Sequence, residues 1–408
     1  MNVYAQDGVD FGKEHDVVAV FKALYKATKP FTADLERYGF SAPDDIGYFS
    51  DGITIDTARL CEVMEGKKIA LVFGMDGPGT KPRVHLTYLQ IKRSREEVAA
   101  KEEVAELANL SRSCVGICEV AMVANDIICG GARPAYALDY VAWHDPNVEI
   151  ARDIASGLYI GAKQAGMTIV GGENASLSEM INGYDSCIAG IGFILNPKHL
   201  ENPLTGEKIE VGDVIIGIGS SGVHCNGIST ARKKLIWSPI INWMGRYYVD
   251  EVVPELGKTT AEEILTPTII YREPVLDGVL GDDEFTVRAV VNITGEGIHN
   301  LKRALKGKKD IGVGARIDLT KEEKLRPQPV FDLVQREGNI SDREMWEDYN
   351  MGIGMQMIVP RDQAEIVVDR LERYQVGDQQ IRASMIGEIV EDNQQRIYLK
   401  TDKFEDVY

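Results

Sequence analysis

The chain has 408 residues, a formal net charge of −18 and an apolar fraction of 44%. This length exceeds what one hydrophobic core usually supports, and it predicts two domains, residues 1–200 and 201–408. The acidic balance argues against nucleic-acid binding, which needs basic patches, and no apolar run reaches the length of a membrane span. The first residues lack the basic and apolar regions of a signal peptide, so we expect a cytoplasmic protein.

The six cysteines include no Cys-x-x-Cys pair, and several lie inside apolar runs. This usage predicts reduced, buried thiols in a cytoplasmic protein. Cys114, Cys118 and Cys129 are close enough in sequence to be considered as metal ligands, but no histidine has a matching spacing. Core packing is therefore the favoured interpretation.

The first predicted element is a helix over residues 14–28, whose apolar side chains recur on one face. Lys22 and Lys26 are one turn apart on this helix, where they form a solvated face or, alternatively, reach a phosphate. Residues 29–53 combine proline, glycine and paired acids, which indicates an irregular or mobile segment.

A glycine-rich turn, residues 74–81, follows a predicted strand over 69–73. Its glycines allow backbone N–H groups to surround an anion. Lys81 can neutralise a phosphate, and Asp76 can hold the divalent ion that accompanies one. The alternative is a glycine-rich hairpin with a solvated lysine.

A charged helix is predicted over 88–113, and a nearly all-apolar helix over 115–131 contains Asn125 and Asp126. A carboxylate buried there must be paired or bound to metal, unless it caps the helix end. After a strand over 134–142, an amphipathic helix over 147–165 and a strand over 167–170, residues 171–174 predict another glycine turn, with Glu173 as its acid. Asp76, Asp126 and Glu173 together suit a magnesium–nucleotide site.

The second domain begins after the turn-rich stretch 196–212. A strand over 214–219 enters the Ser/Gly loop 220–227 and then a helix over 228–235, which is a favourable arrangement for binding an anion. His224, in that loop, is expected to be more exposed than a core histidine. Further glycine turns are predicted at 291–297 and 349–355.

The order of these segments resembles the phosphoribosylformylglycinamidine cyclo-ligase family, also called aminoimidazole ribonucleotide synthetases. The loop 220–227, for example, is similar to the family's Ser-Ser-Gly-x-His-Ser-Asn-Gly. The resemblance extends over essentially the whole chain. The matching segments are residues 4–10, 74–81, 123–126, 171–174, 220–227, 265–271 and 350–355.

The resemblance implies two α/β domains, of which the first contributes strands to a barrel completed across a homodimer. It also implies that ATP, with Mg²⁺, activates the amide oxygen of a phosphorylated ribonucleotide, formylglycinamidine ribonucleotide. A nitrogen then attacks, closing the imidazole ring and releasing phosphate. The implied catalytic residues are Lys22, Asp126, His224 and Asn226; the implied nucleotide-binding residues are Asp76, Gly77, Gly79, Thr80, Lys81, Asn125, Gly171, Gly172, Glu173, Thr294 and Gly295; the implied metal ligands are Asp76, Asp126 and Glu173.

Several positions depart from the family pattern. Cys118 stands where the family has an aspartate, Arg133 where it has a glutamate, Asn292 where it has a histidine and Glu347 where it has an arginine. Two alternatives therefore stay open. One is another ATP-dependent enzyme of the superfamily, such as thiamine-monophosphate kinase or selenophosphate synthetase. The other is a non-catalytic paralogue that binds nucleotide.

Overall fold

The computed structural model describes residues 11–43, 52–65, 68–96, 107–201, 204–238, 242–308 and 312–408, so the family-like segment 4–10 lies outside the described residues. The chain divides into two compact units: residues 1–124, 134–195 and 265–267 form the first, and residues 125–133, 196–264 and 268–408 the second. This division is less simple than a single cut at residue 200. Residues 125–133 belong to the second unit although the first unit surrounds them in sequence, and residues 265–267 belong to the first unit although the second surrounds them. No helix in the described ranges is long and apolar enough to cross a membrane.

The first unit contains a mixed four-stranded sheet and helices that pack against it. Its strands are β1 Phe40–Ser41, β2 Thr54–Ile55, β3 Ala70–Asp76, β4 Arg133–Trp143, β5 Thr168–Ser176 and β6 Tyr184–Ile194, and its helices are α1 Phe11–Thr28, α2 Thr57–Val63, α3 Lys81–Glu96, α4 Leu107–Cys129 and α5 Val148–Ala165. Residues 125–129 of α4 and Arg133 of β4 belong to the second unit. The sheet order is β3-β6-β4-β5. β3 and β6 are antiparallel, whereas β4 and β5 are parallel and are connected through α5.

The predicted helix over 147–165 is confirmed as α5, and local signals explain its ends. Asn147 Oδ1 accepts hydrogen bonds from the backbone N–H groups of Glu149 and Ile150, at 3.0 and 3.1 Å. Gly166 ends the helix in the left-handed conformation (φ +67°). These N- and C-terminal caps satisfy backbone groups that the helix itself leaves unpaired.

Two predictions for the first unit are wrong. Residues Lys29–Tyr38 form a 3-10 helix within the stretch expected to be irregular. Residues 171–174 do not form a turn, because β5 continues through them and pairs with residues 138–141 of β4. Parallel pairing satisfies the backbone groups there, so the glycines do not terminate the strand.

One face of the first unit's sheet carries exposed apolar side chains. On β3, Phe73 is 74% exposed and Met75 is 71% exposed, and Leu71 is exposed on the same face. Leu138 and Tyr140 of β4 are also exposed. Alternate residues along a strand share a face, so these side chains form an apolar surface on one side of the sheet.

The second unit contains a seven-stranded mixed sheet. Its helices are α6 Pro197–Glu201, α7 Ile228–Leu235, α8 Thr260–Ile264, α9 Leu301–Leu305, α10 Pro329–Gly338, α11 Asp342–Asp348 and α12 Ala364–Leu371; its strands are β7 Val214–Gly219, β8 Ile236–Ser238, β9 Trp243–Met244, β10 Tyr247–Tyr248, β11 Val252–Val253, β12 Lys258–Thr259, β13 Ala289–Asn292, β14 Val313–Asp318, β15 Ile353–Val359, β16 Gln375–Val376, β17 Gln379–Gln380, β18 Ala383–Glu391, β19 Ile397–Lys400 and β20 Glu405–Val407. The order of the large sheet is β13-β15-β7-β18-β14-β19-β20.

The centre of this sheet is fully buried and positions the loops that follow its strands. Every residue of β7 and of β15 is buried. The core beneath them includes Ile216, Met355 and Val367, with a π-helix over Arg272–Leu280 packed alongside. A buried pair of neighbouring strands gives a rigid base for the loop after Gly219 and the turn before Ile353.

The predicted α/β class is confirmed, and the division at residue 200 stays a prediction. The barrel across a homodimer stays a prediction.

Candidate functional site

The loop 220–227 follows β7 and is fixed by one buried amide, Asn350. The Ser220 hydroxyl donates to Asn350 Oδ1 at 2.9 Å, as does the Gly352 backbone N–H at 2.9 Å. Asn350 Nδ2 in turn donates to the Gly222 carbonyl at 2.8 Å. A buried side chain with each of these bonds made holds the loop in one conformation. Sequence reasoning missed this positioning role, although Asn350 lies in the family-like segment 350–355.

His224 lies in this loop and is only 3% exposed, so the prediction of an exposed imidazole is wrong. Its backbone is left-handed (φ +55°), and the Ser221 N–H donates to its Nε2 at 3.2 Å. Nε2 as an acceptor places the ring proton of a neutral imidazole on Nδ1. Gly354 provides the space for the ring, because a Cβ there would lie 2.6 Å from His224 Cε1.

The loop lies beside the turn 293–297. Asn226 Oδ1 is 3.5 Å from where a Cβ on Gly295 would lie. The Thr294 hydroxyl donates to Asn300 Oδ1 at 3.1 Å, and Asn300 Nδ2 donates to the Gly297 carbonyl at 2.9 Å. These bonds hold the turn, so Asn226 and Gly295 form one rigid surface in the second unit.

Asn125 and Asp126, adjacent in sequence, have different environments. Asn125 is buried: its Nδ2 donates to the Ile269 carbonyl at 2.9 Å, and its Oδ1 accepts from the Tyr271 N–H at 3.0 Å. Asp126 is exposed, which contradicts the expected burial, because it lies on the outer side of the last turn of α4. Asn292 Nδ2 donates to Asp126 Oδ1 at 2.8 Å. The structure therefore gives Asn125 a structural role and places Asp126 next to Asn292, two residues before Thr294.

In the first unit, the glycine-rich segment forms a short connection between β3 and α3. Asp76 is the last residue of β3 and is exposed, and its Oδ1 accepts from the Gly77 N–H at 2.7 Å. Gly79 has φ +61°, a conformation that favours glycine. Thr80 then precedes the start of α3 at Lys81, so an exposed carboxylate and a helix N-terminus lie within one short connection.

Lys81 does not point into solvent. It is fully buried, and its Nζ donates to the Thr266 carbonyl at 2.8 Å and to the thiols of Cys118 and Cys114 at 3.3 and 3.5 Å. Sequence reasoning missed this contact and treated the cysteines as packing residues only. In this conformation the ammonium group does not reach a phosphate in solvent, and its role at a nucleotide stays a prediction. Lys22, by contrast, is exposed on α1.

Gly171, Gly172 and Glu173 lie within β5. A Cβ on Gly172 would be 2.1 Å from Asp139 Oδ1, so this glycine allows close packing of β4 and β5 and is not needed for a turn. Glu173 is exposed, and its Oε1 accepts from the Asn174 N–H at 3.0 Å.

The three predicted metal ligands do not form a site within one copy of either unit. Asp76 ends β3 and Glu173 lies on β5, at opposite edges of the four-stranded sheet. Three inter-strand spacings separate them by about 14 Å. Asp126 belongs to the second unit. Within the described ranges, no group of three or more His, Cys, Asp or Glu side chains is placed to hold a metal ion.

Two buried acids were not predicted as part of any site. Burial raises the pKa of Glu119 to about 8, although the Ser186 hydroxyl donates to its Oε1 at 2.5 Å. Burial also raises the pKa of Asp139 to about 7. In the sequence, Glu119 lies within the apolar run 115–123 and Asp139 lies within the predicted strand 134–142. These positions were the signals that could have identified the two buried acids. Both groups are predominantly protonated in mildly acidic solution.

Comparison with known proteins agrees with this arrangement of motifs. Residues 61–194 match "AIR synthase related protein, N-terminal domain", and residues 210–400 match the corresponding C-terminal domain. A phosphoribosylformylglycinamidine cyclo-ligase of Pyrococcus horikoshii is 34% identical over 92% of each chain. One of Alkaliphilus metalliredigens is 32% identical over 96% of each chain.

The chain belongs to the phosphoribosylformylglycinamidine cyclo-ligase family. Among solved structures, hydrogenase maturation protein HypE in complex with ATP is similar in fold, with a TM-score of 0.55 and 15% identity, covering 91% of this chain and 90% of that one.

Within this family, the departures of the present chain are located at structurally important points. Cys118 contacts the buried Lys81 ammonium, and Asn292 holds Asp126. Glu347 lies in α11, where Arg343 Nε donates to it at 3.0 Å. The Cys118 substitution belongs to the first unit, and the Asn292 and Glu347 substitutions belong to the second.

Proposed function

We propose that this chain is an ATP-dependent ligase of purine biosynthesis that converts formylglycinamidine ribonucleotide to aminoimidazole ribonucleotide. The observation that carries this proposal is the identity of 34% over 92% of each chain to a phosphoribosylformylglycinamidine cyclo-ligase. The similarity to a fold solved with ATP supports the nucleotide requirement.

In the proposed reaction, the amide oxygen of the substrate attacks the terminal phosphorus of ATP, and ADP leaves. The amidine nitrogen then attacks the activated carbon, and that oxygen departs with inorganic phosphate as the imidazole ring closes. Such phosphoryl transfer depends mainly on positioning and on charge stabilisation. The hydrogen-bonded loop 220–227 and the turn 293–297 supply rigid polar groups for positioning.

His224 is the residue of this loop best suited to hold a proton near the substrate. Its Nε2 accepts the Ser221 N–H, so its neutral form donates from Nδ1. An imidazole fixed in this tautomer can donate a hydrogen bond from Nδ1 to an amide or phosphate oxygen. Asn226 and the Thr294–Gly295 turn would contact the ribonucleotide beside it.

We infer that ATP arrives with Mg²⁺ and that Asp76 and Glu173 contribute to one ATP site only when two copies associate. Their separation across the four-stranded sheet excludes a shared ion within one copy. Mg²⁺ would supply charge neutralisation at the phosphates when bound. The exposed carboxylates and the N-terminus of α3 are the groups of this unit available to orient it.

We infer that the protein is a homodimer whose first units form a closed barrel. β3 and β5 are edge strands, and an apolar, open-edged sheet in water is prone to pair with another chain. Phe73 and Met75, each more than 70% exposed, need an apolar cover. A second copy provides both the cover and the edge partners in a symmetric arrangement.

We also place the protein in the cytoplasm. All six cysteines are free thiols, and three of them are buried. Free thiols are typical of proteins in a reducing compartment.

The test of the proposed function is direct turnover. Purified protein is incubated with Mg·ATP and formylglycinamidine ribonucleotide, and aminoimidazole ribonucleotide and ADP are both quantified. We expect equal amounts of the two products. A parallel reaction with thiamine monophosphate tests the kinase alternative and is expected to give no thiamine diphosphate. ADP release without imidazole formation, or no turnover, would contradict the proposal.

A further inference from the structure

An open cleft of about 640 Å³ lies in the second unit next to the turn 293–297. Gly295 is part of its lining, and a Cβ at Gly295 would lie 3.5 Å from Asn226 Oδ1. The cleft is therefore continuous with the surface assigned above to the substrate, but most of its charged residues belong to no motif in the sequence. Its lining is Gly295, Glu296, His299, Lys302, Arg303, Lys306, Glu347 and Asp348.

One wall of this cleft is cationic. Lys302 and Lys306 are separated by one helical turn at α9, and the Lys306 N–H donates to the Lys302 carbonyl at 3.0 Å. Neither lysine has an ion-pair partner in the part of the chain that the structure describes. Arg303, which lies between them in sequence, forms an ion pair with Glu296, with Arg303 Nη2 and Glu296 Oε2 3.3 Å apart. In a chain of net charge −18, two adjacent uncompensated ammonium groups create a local site for an anion.

Another part of the lining is acidic. Glu347 and Asp348 end α11, where the carbonyl groups of a helix terminus disfavour negative charge. Glu347 is shared between Arg343, at 3.0 Å, and His299, at 3.6 Å. Burial and the neighbouring carboxylates of Glu347 and Glu344 raise the pKa of Asp348. Asp348, a carboxylate that its surroundings disfavour and that lines a cleft, is a candidate for binding a cation.

We propose that this bipolar cleft binds the ribonucleotide substrate, with its phosphate at Lys302 and Lys306 and its amidine cation at Asp348. The inference rests on the proposed function, since it assigns the substrate groups of that reaction. A ribonucleotide phosphate carries close to two negative charges, which two ammonium groups neutralise. A protonated amidine presents two N–H donors to one carboxylate, as a guanidinium group does, and in this open cleft it releases a proton to solvent before its nitrogen attacks.

This arrangement would place the reacting amide next to the turn 293–297. Gly295 lines the cleft, and the loop that carries Asn226 and His224 lies beside Gly295. The formyl amide lies one methylene beyond the amidine, so a substrate held at its phosphate and its amidine has little freedom to move this amide, which is the advantage that positioning gives to catalysis. Lys302, Lys306 and Asp348 are accordingly positioning residues.

The first experiment measures kinetics of the full-length protein with Lys302→Ala/Lys306→Ala. We expect the KM for formylglycinamidine ribonucleotide to rise by about 10- to 100-fold, as for lost hydrogen bonds to a charged group, while the KM for ATP stays unchanged. The matched control is Lys233→Ala/Lys234→Ala, two exposed lysines at the end of α7. An unchanged KM for the ribonucleotide in the cleft variant would overturn the assignment.

The second experiment measures binding by calorimetry and does not depend on turnover. The probes are ribose 5-phosphate and aminoimidazole ribonucleotide, which keep the phosphate but lack the amidine. We expect both to bind about 10-fold or more weakly to the lysine double variant and to bind Asp348→Asn as they bind the parent. Asp348→Asn should weaken only formylglycinamidine ribonucleotide.

The outcomes separate this inference from the proposed function. Loss of ribose 5-phosphate binding in the lysine variant, in a protein that does not close the ring, would support a phosphate site and contradict the cyclo-ligase assignment. Ring closure by the parent with equal ribose 5-phosphate binding in parent and variant would contradict the cleft and keep the function. Equal weakening of all three ligands by Asp348→Asn would overturn the assignment of the amidine.

Discussion

Two glycine-rich segments that look alike in sequence have different structures. Residues 171–174 continue β5 and pair with β4, whereas residues 220–227 leave β7 as a loop that Asn350 holds. Both follow an apolar strand and contain polar residues. The difference lies in the neighbouring chain: β4 approaches the first segment along its whole length, and no strand of the described sheet continues beside the second.

A glycine in these segments indicates that another group approaches the backbone closely, but it does not identify that group. At Gly172 that group is Asp139, and at Gly354, which packs on the loop 220–227, it is His224 together with Tyr271. A strand neighbour gives stability, and a histidine in a rigid loop gives a positioned proton donor. The experiments below test these two roles, beginning with the largest expected effect.

We expect the strongest loss of turnover for Asp76 and Glu173, two exposed carboxylates of the first unit. Asp76→Asn and Glu173→Gln should each lower turnover by about 100-fold or more, because each removes charge that holds the nucleotide. If two copies complete the site, a mixed dimer of the two variants contains one intact site, and a 1:1 mixture should recover about a quarter of the parent activity. Tagged heterodimers and light scattering check subunit exchange and mass. No recovery in isolated heterodimers would contradict the shared site.

His224→Ala tests the loop segment. We expect kcat to fall by about 100-fold, typical of a lost proton donor or acceptor, with Mg·ATP affinity close to that of the parent. Because the imidazole is buried, the free energy of unfolding should also fall, by about 1–2 kcal/mol. His15→Ala, at an exposed position of α1, is the matched control. Parent-like turnover in His224→Ala would remove the residue from the chemistry.

Gly172→Ala tests the strand segment. A Cβ there would overlap Asp139 Oδ1 and the Asp139 carbonyl oxygen, at 2.1 and 2.4 Å. We expect the free energy of unfolding to fall by about 2–3 kcal/mol, measured by urea denaturation. At Gly52 a Cβ meets nothing within 4 Å, so Gly52→Ala should change stability by less than about 0.5 kcal/mol. Equal stabilities of the two variants would show that close packing at Gly172 is not required.

The last experiment concerns pH and Glu119, the acid buried in α4. Folding raises the pKa of Glu119 from 4.5 to about 8, so the folded chain keeps a proton that the unfolded chain releases. Between these values the free energy of unfolding falls as the pH rises, by up to about 1.4 kcal/mol per pH unit. Glu119→Gln has no such proton and should reduce this slope. Parallel stability curves from about pH 5 to about pH 8 would contradict the assignment.

Elements with strong local signals could be predicted from the sequence. The helix α5 has its Asn147 cap and Gly166 end, and the strand, loop and helix around His224 follow the expected order. The predictions that failed concern side chains whose burial depends on residues distant in sequence. His224 is buried because Gly354 leaves space for it, and Lys81 is buried because Cys114, Cys118 and Thr266 surround it. No local pattern reports such contacts.

The same limitation applies to the bipolar cleft. Lys302 and Lys306 look like an ordinary solvated face in the sequence, and Glu347 looks like a helix residue paired with Arg343. Only the folded second unit brings both around one cleft with Gly295.

Isotope labelling can follow the oxygen atom of the formyl group through the proposed reaction. Substrate labelled with ¹⁸O at this amide is converted with unlabelled Mg·ATP in unlabelled water, and the inorganic phosphate is examined by mass spectrometry. If ATP activates the amide as a phosphate ester, each phosphate released during ring closure should contain one ¹⁸O atom. Unlabelled phosphate, with the ¹⁸O released to water, would contradict the account.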